Sequence, residues 1–133
     1  MTSSTSKDSC LLKKTEELEI TAKEFGFYWE RIDQLIEQIQ SECLEVKEAW
    51  ENNDNAHLQE EIGDLIHATI SLAVFCQFDP HETLANSLEK FQKRYNHVVH
   101  LAKEDGRSDL KEQPTDILMH YWNRAKVFTK NTK

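Results

Sequence analysis

Three glycines and two prolines are few for a chain of 133 residues. A many-turned β fold needs more such punctuation, so the scarcity predicts long helices joined by few connections. Cysteine is sparse as well. Cys10, Cys43 and Cys76 are odd in number and form no C-x-x-C pair. Cys43 and Cys76 fall within helical apolar patterns and read as reduced packing residues. Positive charge is in deficit, with 16 Lys and Arg against 24 Asp and Glu and a formal charge of −8. That balance argues against a general nucleic-acid binder, which needs a basic face. Nucleotides are a different case, because a bound metal reverses the local field. Long hydrophobic runs are also missing. The most apolar stretch, 65–78, is short and interrupted by His67, Thr69, Ser71 and Gln77, so no membrane span is expected. The Ser/Thr-rich start is polar and followed by only Leu11 and Leu12. We therefore expect no signal peptide, an unstructured tail over 1–10 and a cytoplasmic protein.

What remains is a single helical domain over 11–133, with 38% hydrophobic and 30% charged residues. Apolar periodicity predicts a first helix over 11–24, broken by Gly26 within the aromatic cluster Phe25, Phe27, Tyr28 and Trp29. A second helix over 29–52 carries Ile32, Leu35, Ile36, Ile39, Cys43, Val46 and Trp50 on one stripe. Asn52-Asn53-Asp54-Asn55 ends it and caps a third helix over 56–78. Asp79-Pro80-His81-Glu82 is a helix start, with Asp as N-cap and Pro first in the helix. The fourth helix runs to 102 with Leu84, Leu88, Phe91, Tyr95, Val98 and Ala102 on a seam. After a polar loop, Pro114 opens a last helix with Ile117, Leu118, Tyr121, Ala125 and Phe128 inward. The expected architecture is all-α, a four-helix-bundle-like core with an additional N-terminal helix.

Two acidic pairs stand on the second and third helices: Glu42 with Glu45, and Glu61 with Asp64. Residues three apart share one side of a helix. In so acidic a chain the spacing alone is weak, since Glu16/Glu19 and Glu45/Glu48 fit it too, and a solvated face is the ordinary explanation. On a helical wheel Glu42 falls about 70° from the centre of its apolar stripe, with Glu45 further round. The second pair differs in context. It opens the apolar run, and Gly63 lies within it, costing a helix about 1 kcal/mol relative to Ala. Close approach by another helix or a ligand would account for that glycine. Four converging carboxylates repel one another and lose hydration, so a hard divalent cation is the simplest compensation. Glu48 and Glu60, beside the motif, read as solvated.

Two basic elements follow. Lys90 and Arg94 are one turn apart, as are Trp122 and Lys126, and cations suit polyphosphate. Together the four elements resemble the MazG family of nucleoside triphosphate pyrophosphohydrolases, within the all-α NTP pyrophosphohydrolase superfamily. That family's pattern is Glu-Glu-x-x-Glu, then Glu-x-x-Asp, Lys-Phe-x-x-Arg and Trp-x-x-x-Lys. This chain reads Ser41-Glu42-Cys43-Leu44-Glu45, Glu61-Ile62-Gly63-Asp64, Lys90-Phe91-Gln92-Lys93-Arg94 and Trp122-Asn123-Arg124-Ala125-Lys126. Ser41 departs from the pattern, standing where the first Glu is expected. The resemblance implies that Glu42, Glu45, Glu61 and Asp64 are catalytic ligands of Mg²⁺, with Mn²⁺ as a substitute. It implies that Lys90, Arg94, Trp122 and Lys126 bind the nucleotide. The implied reaction is hydrolysis between the α- and β-phosphates to a monophosphate and pyrophosphate.

Other readings have weaker support. A di-iron bundle wants Glu-x-x-His on two helices, and within a confident helix only Asp64-x-x-His67 comes near. His67 reads instead as a packed or interface histidine. His57, His81, His97, His100 and His120 form no ligand spacing. A non-enzymatic interaction module would explain the amphipathic helices but not the acids beside the apolar run. A dUTP- or dCTP-preferring enzyme is the nearest variant of the leading reading. Finally, the third helix is apolar on nearly every side from Leu65 onward. One small bundle cannot cover it, so we expect a homo-oligomer, a dimer or dimer of dimers, as the family resemblance also implies.

Overall fold

The computed structural model describes residues 10–131, and among these the chain is helical without any strand. Five helices follow in order: α1 (Leu11–Phe25), α2 (Ile32–Glu51), α3 (Asn55–Phe75), α4 (Pro80–Glu104) and α5 (Thr115–Asn131). The tail expected over 1–10 lies outside the described residues except for Cys10, an extended N-cap. Two compact units divide the chain within α4, one ending at Thr83 and the other beginning at Leu84.

In the first unit, α3 packs against both α2 and α1, most extensively against α2. Turn chemistry sets the helix ends. Gly26 takes the left-handed φ of 103° that closes α1, and the Phe27 amide donates back to the Ala22 carbonyl at 2.8 Å. Such a closure favours glycine, which has no Cβ to clash. α2 starts at Ile32, later than the apolar pattern suggests, because the amides of Glu30 and Arg31 are both taken by Gln34 Oε1 at 3.1 Å. Asp54 caps α3 by accepting from the His57 amide at 3.1 Å. α3 stops at Phe75, before the expected 78, because Gln77 adopts a left-handed φ of 67° and the Phe78 amide returns to the Ala73 carbonyl. Asp79 accepts from the Glu82 amide at 3.1 Å, the expected start of α4.

The buried line of α2 is not the expected stripe. It consists of Leu35, Glu42 and Ala49, spaced seven residues apart, with Leu35 only 2% exposed. Ile36, Ile39 and Val46 are half-buried, while Ile32 and Trp50 are exposed. Cys43 and Cys76 are corrected from packing residues to exposed ones. For Cys43 the reason is rotational, since it lies about 100° round the helix from Glu42. On α3 the buried residues are Glu61 and Ser71, and Ile62, Ile66 and Phe75 are exposed.

Gly63 is exposed, and a Cβ built there would meet nothing within 4 Å. The close approach expected at this glycine is therefore absent from the single chain's described residues. With open space on a regular helix, Gly63→Ala should stabilise the monomeric unit by about 1 kcal/mol through helix propensity alone. Chemical denaturation checks this, and a lower midpoint for Gly63→Ala would place a second chain or a ligand against that face.

In the second unit the core is Leu101, Ala102 and Tyr121, with Val98, Leu110 and Ile117 packed on it. Ala125 is also buried. The seam expected on α4 is apolar but largely exposed at Leu84, Leu88, Phe91 and Tyr95, and on α5 Leu118 and Phe128 are exposed. Phe128 stacks on His97 with ring centroids 3.8 Å apart. Asp105 ties the end of α4 to α5 by accepting from the Tyr121 hydroxyl at 2.7 Å, with Arg124 Nη1 at 3.4 Å. That hydroxyl, aided by Arg124, holds the Asp105 carboxyl below its usual range, and the same bond raises the Tyr121 phenol.

Candidate active site

Glu42, Glu45 and Glu61 converge, each offering an oxygen within 4.8 Å of those of the other two. The helix pairing explains how. Glu42 lies mid-way along the buried line of α2, and Glu61 is a buried residue of the α3 helix packed against it. Each is only 7% exposed. Gln38, one turn earlier, donates to Glu42 Oε1 at 2.7 Å. Among the described residues, Glu42 Oε2 is buried without a hydrogen-bond partner. A buried carboxylate oxygen with no partner is costly, so this atom points to a ligand that supplies positive charge. Burial, reinforced by the negative charges of Glu45 and Glu42, pushes the Glu61 carboxyl above its usual range, and His57 opposes the shift. An all-carboxylate donor set of this kind fits a hard cation such as Mg²⁺ or Mn²⁺.

The other acids take different positions. Asp64 is exposed and stands outside the group of three, but it borders a cavity of about 530 Å³ that Glu42 also borders. Glu48 is exposed; Glu60, also exposed, lies 3.8 Å from His57 Nδ1. Ser41 donates to Glu45 Oε2 at 3.4 Å. The residue that departs from the family pattern thus contacts one of the converging carboxylates directly.

Two neighbours escaped sequence reasoning. Gln38 and His57 each precede a cluster acid by four residues, and His57 Nε2 lies 3.6 Å from Glu61 Oε2. That spacing is a usable signal, though one too common in a helical chain to single them out. His67 is exposed in the single chain rather than packed in its core, and the interface alternative stands; its Nε2 lies 3.1 Å from Glu19 Oε2. It contacts α1 rather than the cluster because it sits six residues, nearly two turns, beyond Glu61.

In the second unit, a cavity of about 720 Å³ is lined by Lys90, Lys93, Arg94, Lys126 and Lys130, with Asn86, Asn123 and Glu89. Three of the four substrate-binding candidates therefore share one basic concavity. Trp122 does not line it. Half-buried, it packs on Phe91 with centroids 5.6 Å apart and lies under the Arg94 guanidinium at 5.8 Å. Arg94 Nε also donates to Thr129 Oγ1 at 3.2 Å. Within the single chain the Trp122 ring thus has Arg94 and Phe91 as neighbours. Lys93 and Lys130 were missed, although helical spacing from Lys90 and Lys126 placed them on the same faces.

An all-helical chain with converging carboxylates and a basic concavity is a protein suited to metal and phosphate chemistry. Comparison with known proteins makes the assignment specific. The model of the MazG nucleotide pyrophosphohydrolase domain matches residues 30–99, and the chain belongs to that family. The nucleoside triphosphate pyrophosphohydrolase/pyrophosphatase MazG of Thermotoga maritima is 33% identical over 115 residues, 86% of this chain and 44% of that protein. The nucleoside triphosphate pyrophosphohydrolase of Escherichia coli K12 is 28% identical over 99 residues, 71% of this chain and 37% of that one. Bacillus subtilis YabN, an uncharacterized protein, is 31% identical over 70 residues, 53% of this chain and 14% of its own length. The chain spans less than half the length of these curated relatives.

Proposed function

We propose that this protein hydrolyses (deoxy)nucleoside triphosphates to the nucleoside monophosphate and pyrophosphate, with Mg²⁺ or Mn²⁺ held by Glu42, Glu45, Glu61 and Asp64. The observation that carries this reading is the buried, partnerless Oε2 of Glu42 among three converging carboxylates. Family membership and the names of the relatives support it. When bound, the cation supplies Lewis-acid stabilisation of phosphate charge and a more acidic water.

The chain's own residues do the rest. Gln38 orients Glu42 through its 2.7 Å bond, and Ser41 touches Glu45. A carboxylate of the cluster accepts the proton of the attacking water. Lys90, Arg94 and Lys126 neutralise phosphate oxygens, Arg94 through its planar fork and the lysines as point charges. Trp122 holds the guanidinium of Arg94. Lys93 and Lys130 add to the same positive field. A panel of all common (d)NTPs with Mg²⁺, scored for pyrophosphate and monophosphate, tests the reading. Release of inorganic phosphate alone, or no turnover of any triphosphate, would overturn it. A dUTP- or dCTP-restricted activity is the narrower version of the same function.

No described helix is long and apolar enough to cross a membrane, and we propose a cytoplasmic enzyme acting on free nucleotides. We also propose a homo-oligomer, a dimer or dimer of dimers. Trp50 is 70% exposed and Phe27 78%, and Ile62, Ile66 and Phe75 are exposed on α3. Large apolar side chains so placed favour association. Light scattering should give at least twice the 15.6 kDa chain mass, and Phe75→Glu should shift the protein toward monomer. A monomeric wild type at micromolar concentration would refute the oligomer.

A further inference from the structure

We infer that Glu19, held by Ser71 and His67, reads the base of the bound nucleotide and favours bases carrying an exocyclic amino group. This rests on the nucleotide chemistry proposed above and adds a base preference to it. The cavity of about 530 Å³ in the first unit is bordered by Glu42 and Asp64, by the aromatic loop Phe27, Tyr28 and Trp29, and by Glu19, His67 and Ser71. Its volume is in the range of small-molecule sites, roughly 300–1,000 Å³. Glu42 is the member of the metal-suited cluster that borders this cavity, with Asp64 beside it, so a ligand there lies next to the cluster's edge.

The aromatic side chains and the carboxylate have different capabilities. Aromatic rings such as those of Trp29 and Tyr28 stack on any base and therefore do not discriminate. Glu19 does. The Ser71 hydroxyl donates to Glu19 Oε2 at 2.9 Å, and His67 Nε2 lies 3.1 Å from the same oxygen. Both partners lie on α3, so the α1 carboxylate is tethered across the helix pair. Its Oε1 has no hydrogen bond among the described residues, and Glu19 borders the cavity. An ionised carboxylate only accepts hydrogen bonds. The N4 amino group of cytosine or the N6 amino group of adenine donates to it. At the same position the O4 of uracil or the O6 of hypoxanthine is another acceptor and is repelled, and those bases donate only from the neighbouring ring N–H. The Ser71 hydroxyl spends its one hydrogen on Glu19 Oε2, which leaves Oε1 as an acceptor.

Isothermal titration of the full chain with dCMP and with dUMP, both in Mg²⁺, tests this independently of turnover. The two ligands differ only at position 4 and N3 of the base, amino and bare nitrogen in dCMP against keto and N–H in dUMP. Wild type should bind dCMP tighter by about tenfold or more, the size of a charge-assisted hydrogen bond gained against a repulsion. In Glu19→Gln the amide can turn to donate or accept, so the preference should shrink to about twofold or less. A residue that merely ties α1 to α3 would weaken both ligands equally and leave their ratio intact. Equal affinities in wild type, no binding of either ligand, or an unchanged ratio in Glu19→Gln overturns the inference. The wild-type pair needs no variant to fold. Hydrolysis of dCTP and dUTP is followed in parallel. Selective binding without turnover defeats the pyrophosphohydrolase reading alone, while turnover with unselective binding defeats this inference alone.

Discussion

Glu61→Gln is expected to lower turnover on the order of a hundredfold or more, because it removes one charged oxygen donor from the metal-suited cluster. The same change should leave the metal-free fold intact or slightly more stable. Burial, with the negative charges of Glu45 and Glu42 beside it, holds the Glu61 carboxyl above its usual range and disfavours its charge. A neutral amide of the same shape relieves that repulsion. Mg²⁺ should raise the melting temperature of wild type by linkage, since a cation bound only to the native state stabilises it. In Glu61→Gln that rise should be much smaller. The paired outcome separates a metal site from a solvated acidic face, where the substitution would change neither property. Asp64→Asn should also lose activity, with a weaker effect on the metal-dependent stabilisation because Asp64 stands outside the group of three. Full activity in excess EDTA would rule out the metal.

Arg94→Ala should reduce kcat/KM by about ten- to a hundredfold, the loss of a charge-assisted hydrogen bond to phosphate. Arg94→Lys should recover only part of it. The guanidinium is held by Thr129 and by the Trp122 face, and lysine offers neither the planar fork nor the same stacking. Trp122→Ala should resemble Arg94→Ala in kinetics if the tryptophan acts through the arginine. Lys90→Ala should cost as much as Arg94→Ala if its ammonium meets phosphate. Unchanged kinetics would place Lys90 on the solvated surface instead. Steady-state assays at fixed ionic strength decide this, because the five cations of the cavity share one screened field.

The acids show why helical spacing identified candidates without ordering them. Glu42, Glu45, Glu61 and Asp64 satisfy one rule of three-residue spacing, and so do Glu16/Glu19 and Glu45/Glu48. Spacing describes one helix at a time. Which acid becomes buried depends on the neighbouring helix, and the pairing of α2 with α3 put Glu42 and Glu61 inside while leaving Asp64 exposed. Glu19 makes the opposite point: in sequence it was background acidity, and only the packing of α1 on α3 brought it to Ser71 and His67.

Local chemistry was legible wherever one residue type has one backbone use. The Asp79 cap, a cap within residues 52–55, the break at Gly26 and the helical class followed from the sequence because each rests on contacts within a few residues. The end of α3 was not legible, since Gln77 takes a left-handed turn that glycine usually marks. The order of the acidic and basic motifs, enough to point to the family, was likewise written in the chain. Tertiary structure alone decided that the buried line of α2 runs through Leu35, Glu42 and Ala49, that Glu42 keeps one oxygen without a partner, and that Trp122 lies under Arg94. Those outcomes depend on which faces meet across helices far apart in sequence, and periodicity along a single helix carries no information about its neighbour.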